Sequence, residues 1–228
     1  MQSHLRAPRP TPELRVDALG EAAFACRIAG AITLAHQRRI WAFDRAVCGA
    51  IDGAQTIVGM NNLTVLFDVF AHPPDALRAR LEELWSGCGE DMKDGRLVEI
   101  PVVYGGATGP DLAEVARHAG LSPHEVVQLH SERLYTVFFV GFQPGFAYLG
   151  ELDPRLATPR RADPRIRVPA GSVAIGGNQT GVFPLHTPGG WQLIGRTQLQ
   201  LFDVAQQPPT LLCSADQVRF VVEDILPC

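Results

Sequence analysis

The chain lacks the features that mark membrane proteins and nucleic-acid binders. No uninterrupted apolar run approaches the length of a membrane span, and the first residues, MQSHLRAPRPTPEL, contain no apolar core of a secretion signal. The 228 residues carry a net charge of -4, without a lysine or arginine cluster that would offer phosphates a basic face. We therefore expect a cytoplasmic protein that binds neither membranes nor nucleic acid.

The sequence has few cysteines and no phosphate-binding loop motif. The five cysteines are odd in number and widely spaced, with no CxxC motif, which favours reduced thiols over a disulfide framework or a zinc site. We expect no metal in this chain. It contains no GxxxxGK[ST], and the pairs Gly105-Gly106 and Gly176-Gly177 are too short to act as a P-loop.

Length and composition predict a folded chain of two domains. Hydrophobic residues make up 46% and charged residues 19%, enough apolar material for packed cores. Residues 1–12, rich in proline and arginine, predict a flexible tail before a small domain over residues 13–92. A second domain is expected over residues 97–228, after a linker within Ser86–Leu97 that is rich in glycine and charge.

The first domain is predicted to be an α+β unit, a four-stranded sheet with two helices on one face. Apolar residues at helical spacing predict a helix at Ile32–Ala50, and a second helix is expected at Asp75–Ser86, after a double proline. The strand signals lie at Leu14–Leu19, Ala23–Ile28, Thr56–Val58 and Leu63–Val69.

The second domain is predicted to be mainly β. It begins with a strand at Leu97–Tyr104 and contains two short helices, Asp111–Ala119 and Ser122–Ser131, the second opening with the capping box SPHE. From Tyr135 onward the apolar runs are short and the connections are rich in turn formers, which indicates a small barrel or sandwich. Val218–Val222 would supply a closing strand.

Glycine, proline and aromatic residues are concentrated between Phe138 and Thr197. Three blocks carry them: GFQPGFAYLG, VPAGSVAIGGNQTG and TPGGWQLIGRT. Glycine permits positive φ and close backbone approach, while proline fixes φ, so this density predicts sharply specified loops between short strands. Aromatic side chains inside these turns favour loops that line a cleft.

These blocks, with YGGATGPDL and QLHSE before them, resemble a known family. It groups the B subunit of 5-oxoprolinase, allophanate hydrolase subunit 1 and the inhibitor of a sporulation histidine kinase, and the resemblance runs from about Leu14 to the C-terminus. It implies a small α/β domain followed by a cyclophilin-like β-barrel domain. It also implies partners, namely a homologous C subunit together with an A subunit, in an assembly that opens 5-oxoproline to glutamate at the expense of ATP. Because this chain has no phosphate loop, we expect ATP to be bound by the assembled complex.

His130 is the best candidate for acid-base chemistry, as the only histidine in a block that matches the family. Histidine exchanges protons near neutral pH, which suits protonation of a leaving amine. The alternative is a buried histidine that bonds the backbone and holds the junction between a helix and a strand.

The substrate-binding residues are expected in the three blocks and in the arginine-rich segment 155–167, directly before the second block. Aromatic side chains would form one wall of a cleft or a patch for a partner, with Trp191 opposite. Arginine would bind a carboxylate or phosphate, and glutamine and threonine would offer neutral hydrogen bonds. The alternatives are core packing and loop stabilisation. The residues are Phe142, Pro144, Gly145, Phe146, Arg160, Arg165, Gln179 and Thr180.

The leading functional hypothesis is the B subunit of an ATP-dependent 5-oxoprolinase, active only with its partners on a small-molecule substrate. The alternative is a non-enzymatic protein that inhibits a sensor histidine kinase through the aromatic and proline-rich barrel surface. Prolyl isomerisation is a weaker hypothesis, because barrel resemblance does not transfer chemistry.

Overall fold

The computed structural model describes residues 12–90 and 95–228, which fall into two compact units divided between residues 91 and 92. The predicted flexible tail, apart from Pro12, and residues 91–94 of the predicted linker lie outside the described residues. Within the described ranges, no helix is both long enough and apolar enough to cross a membrane.

The first unit is a four-stranded antiparallel sheet with two helices, as predicted. The strands lie in the order β1-β2-β4-β3, and apolar residues of both helices join those of the strands in one core. The elements are β1 (Leu14–Ala18), β2 (Ala23–Ile28), α1 (Leu34–Ala50), β3 (Gln55–Gly59), β4 (Asn62–Leu66) and α2 (Pro74–Gly87).

Two predicted boundaries in this unit are wrong for local reasons. Helix α1 does not include Ile32, because the Thr33 hydroxyl caps the helix by accepting from the His36 N–H at 3.2 Å. Strand β4 ends before Val69, because the carboxylate of Asp68 accepts from the Phe70 N–H at 2.9 Å and turns the chain.

The second unit is built around a closed seven-stranded barrel. The order around it is β10-β7-β6-β13-β5-β12-β9, while β8 and β11 form a separate two-stranded sheet. The strands are β5 (Leu97–Gly105), β6 (Leu134–Val140), β7 (Ala147–Gly150), β8 (Arg165–Val168), β9 (Ser172–Gly176), β10 (Gln179–Val182), β11 (Thr187–Gly189), β12 (Gln192–Arg196) and β13 (Gln217–Leu226). Of the two predicted architectures, the structure has the barrel.

Two helices, α3 (Leu112–Ala119) and α4 (Pro123–Ser131), pack their apolar sides on the barrel core. The predicted capping box of α4 is confirmed: Ser122 and Glu125 exchange side-chain and backbone hydrogen bonds. The closing strand β13 is longer than predicted and pairs in parallel with β5 along its whole length.

The barrel wall has an apolar layer on each side. In β9, Val173 and Ile175 belong to the barrel core, whereas Ala174 between them belongs to a separate cluster that includes Phe146, Phe183 and Trp191. Because successive side chains of a strand point to opposite faces, this second cluster covers the outside of the barrel.

Candidate functional site

His130 lies in the barrel core, with an exposure of 0%. Its Nδ1 is 2.9 Å from the hydroxyl of Tyr104, and its Nε2 is 2.9 Å from Oγ1 of Thr180. The Thr180 hydroxyl donates its only proton to the carbonyl of Ala174 at 2.9 Å. Its oxygen therefore accepts the proton of Nε2, and Nδ1 accepts from Tyr104. Burial lowers the pKa of His130 to about 3, so the ring is neutral.

This geometry keeps His130 and Thr180 out of direct reach of a bound substrate, since both are 0% exposed. The hydroxyl of Tyr135 donates to the carbonyl of His130 at 2.9 Å and ties the end of α4 to β6. These contacts are those of the structural alternative, a histidine that holds a helix-strand junction. The catalytic role of His130 stays a prediction.

An aromatic pocket of about 130 Å³ lies on the outer side of the barrel. The rings of Phe146 and Trp191 meet edge to face with centroids 5.5 Å apart, and Tyr148 lies 6.0 Å from Trp191. The sequence blocks thus bring their aromatic residues together in one cluster. The lining residues are Phe142, Phe146, Tyr148, Arg160, Phe183, Pro188, Gly189, Gly190 and Trp191.

Two glycines allow these rings to lie directly on the barrel wall. A Cβ atom at Gly176 would collide with the ring of Trp191, and one at Gly181 would lie 3.2 Å from Cζ of Phe146. These two glycines of the second sequence block therefore allow close packing of the pocket's rings on the strands.

The loop before β7 presents one aromatic side chain to solvent. Phe142 is 62% exposed and has a φ of 67°, a conformation that is unusual for a bulky residue. Gly145, with a φ of 81°, packs against Phe202 and Leu201, and Pro144 is exposed beside it. Of the four residues predicted in this loop, Phe142 and Phe146 line the pocket, while Pro144 and Gly145 shape the turn.

Arg160 supplies a positive charge at the aromatic pocket. Its guanidinium carbon lies 5.8 Å from the centroid of a Trp191 ring. Burial raises the pKa of the Tyr148 hydroxyl, and the charge of Arg160 opposes that rise. Arg160 has no carboxylate partner within the described ranges of the chain, so its guanidinium is free to bind an anion.

Arg165 and Gln179 lie outside the lining of this pocket. Arg165 donates to Oδ1 of Asp111 at 2.7 Å, and Oδ2 of the same carboxylate accepts from the N–H of Leu193 at 2.7 Å. These bonds match the predicted alternative of loop stabilisation for Arg165. Gln179 begins β10, and its buried Nε2 has no hydrogen-bond partner among the residues the structure describes.

A second cavity, the polar cleft, has a volume of about 490 Å³ and was missed by sequence reasoning. It contains charged residues of α3 and of the arginine-rich segment, and Arg160 lines both it and the aromatic pocket. Its only sequence signal is the Arg160-Arg161 pair. The lining residues are Asp111, Glu114, His118, Thr158, Pro159, Arg160, Arg161, Ala162, Asp163 and Gln192.

Metal ligands are not grouped in the part of the chain that the structure describes. There, no three histidine, cysteine, aspartate or glutamate residues come together in a way that could hold a metal ion. The five cysteines, all within the described ranges, are free.

A comparison with known protein families finds a match over most of the chain. Residues 14–212 match the family described as carboxyltransferase domain, subdomain C and D. The chain belongs to this family. It is 52% identical over 207 residues to the 5-oxoprolinase B subunit of Escherichia coli O157:H7, covering 89% of this chain and 93% of that protein. It is 40% identical over 227 residues to the 5-oxoprolinase B subunit of Bacillus subtilis strain 168, covering 92% and 93%.

Solved structures with the same fold differ in length. The crystal structure of TTHA0988 matches with a TM-score of 0.75 and 37% identity over 88% of this chain, which spans only 39% of that protein. The uncharacterized protein PH0987 from Pyrococcus horikoshii matches with a TM-score of 0.56 and 36% identity, covering 92% of this chain and 98% of that one. The Kluyveromyces lactis urea amidolyase, at 20% identity and a TM-score of 0.80, shares the fold.

Proposed function

We propose that this chain is the B subunit of an ATP-dependent 5-oxoprolinase that opens 5-oxo-L-proline to L-glutamate together with the A and C subunits. The observation that carries the proposal is the similarity to three proteins named as 5-oxoprolinase B subunits, at 40% to 52% identity over 89% to 92% of this chain. By the same family relation, we assign the barrel a cyclophilin-like architecture and the complex a cytoplasmic location.

The aromatic pocket suits this substrate, which is a small ring bearing a carboxylate. The rings of Phe146 and Trp191 offer apolar walls, and the unpaired guanidinium of Arg160 offers a partner for the carboxylate. A volume of about 130 Å³ is below the range of several hundred Å³ typical of drug-sized ligands, so it favours a small ligand. Phe142, at the exposed end, would cover the bound ring.

The chemistry of the pocket explains why partners are needed. Opening a lactam requires a more electrophilic carbonyl, which ATP provides by phosphorylating the amide oxygen before water attacks. Tyr148 and Arg160 are the ionisable residues of the aromatic pocket as the structure describes it, and burial raises the pKa of Tyr148. Its raised pKa makes Tyr148 a poor group for proton exchange near neutral pH. This chain therefore binds and orients the substrate, while ATP and the reacting groups are supplied in the assembled complex, and the chain alone is inactive.

Within this proposal His130 is a positioning residue. The bonds from Tyr104 through His130 and Thr180 to the carbonyl of Ala174 fasten β10 to β9 from inside the barrel. Ala174 and Gly181, on the opposite face of these strands, lie under the aromatic cluster. The buried network would thus keep the floor of the aromatic pocket in place.

Reconstitution tests this proposal. The chain is purified alone and together with its A and C partners, and glutamate release from 5-oxoproline is measured with and without ATP. We expect release only from the full mixture with ATP. An inactive full mixture of folded subunits would rule the proposal out.

One observation favours the second candidate, inhibition of a sensor histidine kinase. Phe142 and Pro144 are both exposed on one loop, as a surface for a protein partner would require. The test is autophosphorylation of the host's sensor kinases with the chain added. If every kinase keeps its full rate, this candidate is rejected.

A further inference from the structure

Gln192, which lines the polar cleft, carries a buried acceptor that the fold leaves unsatisfied. Gln192 is 6% exposed, and its Nε2 donates to the carbonyl of Pro159 at 3.0 Å. This bond fixes the orientation of the amide, so Oε1 is the remaining acceptor. That oxygen is buried and has no hydrogen-bond partner within residues 12–90 and 95–228. Since an unsatisfied buried acceptor is unfavourable, a ligand with an N–H donor would be stabilised here.

The charged residues of the cleft divide into paired and unpaired groups. The carboxylates of Asp111 and Glu114 are held by arginines. By contrast, Arg160 and Asp163 line the same cleft without an ion-pair partner among the described residues. The cleft therefore offers a free cation, a free carboxylate and a buried neutral acceptor.

These three groups together fit a zwitterion. A ligand carboxylate would pair with Arg160, and a protonated amine, with three N–H donors, would bond both Oε1 of Gln192 and the carboxylate of Asp163. A cyclic amide has one N–H donor and no positive charge, so it would leave Asp163 without a partner. We propose that the polar cleft binds an α-amino acid.

The position of Arg160 links this cleft to the aromatic pocket, because its side chain lines both cavities. The ATP-dependent reaction consumes 5-oxoproline, ATP and two water molecules and releases glutamate, ADP and phosphate; the lactam C–N bond breaks, the carbonyl carbon becomes a carboxylate, and the nitrogen becomes a protonated amine. The product loses the ring that fits the aromatic pocket and gains the groups that the polar cleft accepts. The choice of L-glutamate as the ligand rests on the proposed function.

Calorimetric titration of the full chain tests the inference with four probes. They are L-glutamate, glutarate (which lacks the amine), 4-aminobutyrate (which lacks the α-carboxylate) and 5-oxo-L-proline. We expect L-glutamate to bind about tenfold more tightly than glutarate or 4-aminobutyrate, the effect of one lost charge-assisted bond. Gln192→Met should weaken L-glutamate binding by about tenfold and leave 5-oxoproline binding unchanged. The matched control is Gln206→Met, at an exposed site outside both cavities, which should change neither.

Asp163→Asn provides a second variant in case Gln192→Met perturbs folding, because Asp163 is exposed and makes no side-chain bond in the described structure. It should also weaken L-glutamate binding selectively. Equal affinities for glutarate and L-glutamate, or unchanged L-glutamate binding in both folded variants, would overturn the inference, even with an active complex. If L-glutamate binds as expected but the complex releases none from 5-oxoproline, the proposed function fails and the amino-acid site stands.

Discussion

At the scale of single residues, Arg160 occupies the position that connects the two cavities. Its side chain is exposed, stacks near Trp191 and lines both the aromatic pocket and the polar cleft. An arginine that already had a carboxylate partner, as Arg165 has in Asp111, would be poorly suited to bind another anion. Of the two arginines predicted to bind substrate, Arg160 is therefore the better candidate, because Arg165 is already paired with Asp111.

Replacing Arg160 by glutamine should weaken substrate binding. Loss of a charge-assisted bond of about 1.5–3 kcal/mol corresponds to an increase of roughly tenfold to a hundredfold in the KM for 5-oxoproline. The measurement is steady-state glutamate release by the reconstituted complex. Arg167→Gln, at an exposed site outside both cavities, is the control and should leave the KM unchanged. Equal KM values for the two variants would show that Arg160 does not hold the substrate.

His130 should make the free energy of unfolding depend on pH. Its pKa is about 3 in the folded chain and roughly 6.5 in an unfolded one, so below pH 6.5 the unfolded state binds a proton that the folded state refuses. The contribution of this residue to the free energy of unfolding is therefore fully present above pH 6.5. It decreases by about 1.4 kcal/mol per pH unit as the pH falls toward 3.

Urea unfolding of the chain and of His130→Gln, measured between pH 7 and 4, checks this dependence. At pH 7 the variant should be less stable by about 1–3 kcal/mol, because a flexible amide does not reproduce both the bond from Tyr104 and the ring stacking on Phe220. The difference should shrink as the pH falls. His186→Gln, at an exposed site, should follow the unchanged protein throughout. A constant difference between the chain and His130→Gln would contradict the buried neutral ring.

At the scale of elements, the hairpin of β9 and β10 connects the barrel interior to the aromatic pocket. On the inner face of this hairpin, Thr180 bonds His130. On the outer face, Gly176 and Gly181 leave room for the rings of Trp191 and Phe146. The close packing on the outer face and the buried hydrogen bonds on the inner face therefore both hold β9 and β10 in position.

Gly176→Ala should disturb the aromatic pocket. The added methyl group collides with the Trp191 ring, and such overpacking lowers stability by about 1–3 kcal/mol. Substrate affinity should fall with it. The matched control is Gly49→Ala in α1, where no atom lies within 4 Å; it should raise stability by about 0.4–1 kcal/mol. Thermal unfolding and 5-oxoproline titration of both variants are the measurements, and a Gly176→Ala chain with unchanged affinity would contradict the proposed pocket.

The elements that the sequence predicts well are those with local signals. The capping box at Ser122 and Glu125 is read from four residues and is present in the structure. Strands such as β8 and β11 have three or four residues and no such signal, because they are defined by pairing with each other. The polar cleft brings Asp111 together with Arg161 and Gln192, which lie far away along the chain, so the local arginine pair alone could not reveal it.

At the scale of the whole molecule, the proposed function divides the reaction between this chain and its partners. The aromatic pocket and the polar cleft belong to the barrel unit, and the best acid-base candidate, His130, lies inside the barrel wall. The similarity to proteins named as 5-oxoprolinase B subunits fits this division, since one member of an assembly needs only its share of a site. In the proposed function, this chain completes a multi-protein enzyme.

The most direct test is a titration of this chain into fixed amounts of the A and C subunits with ATP and 5-oxoproline, following the rate of glutamate release. We expect no release without the chain and a rate that rises and then saturates at a fixed ratio of the components. Full activity of the partners in the absence of the chain, or no release at any amount of folded chain, would rule out the proposed role.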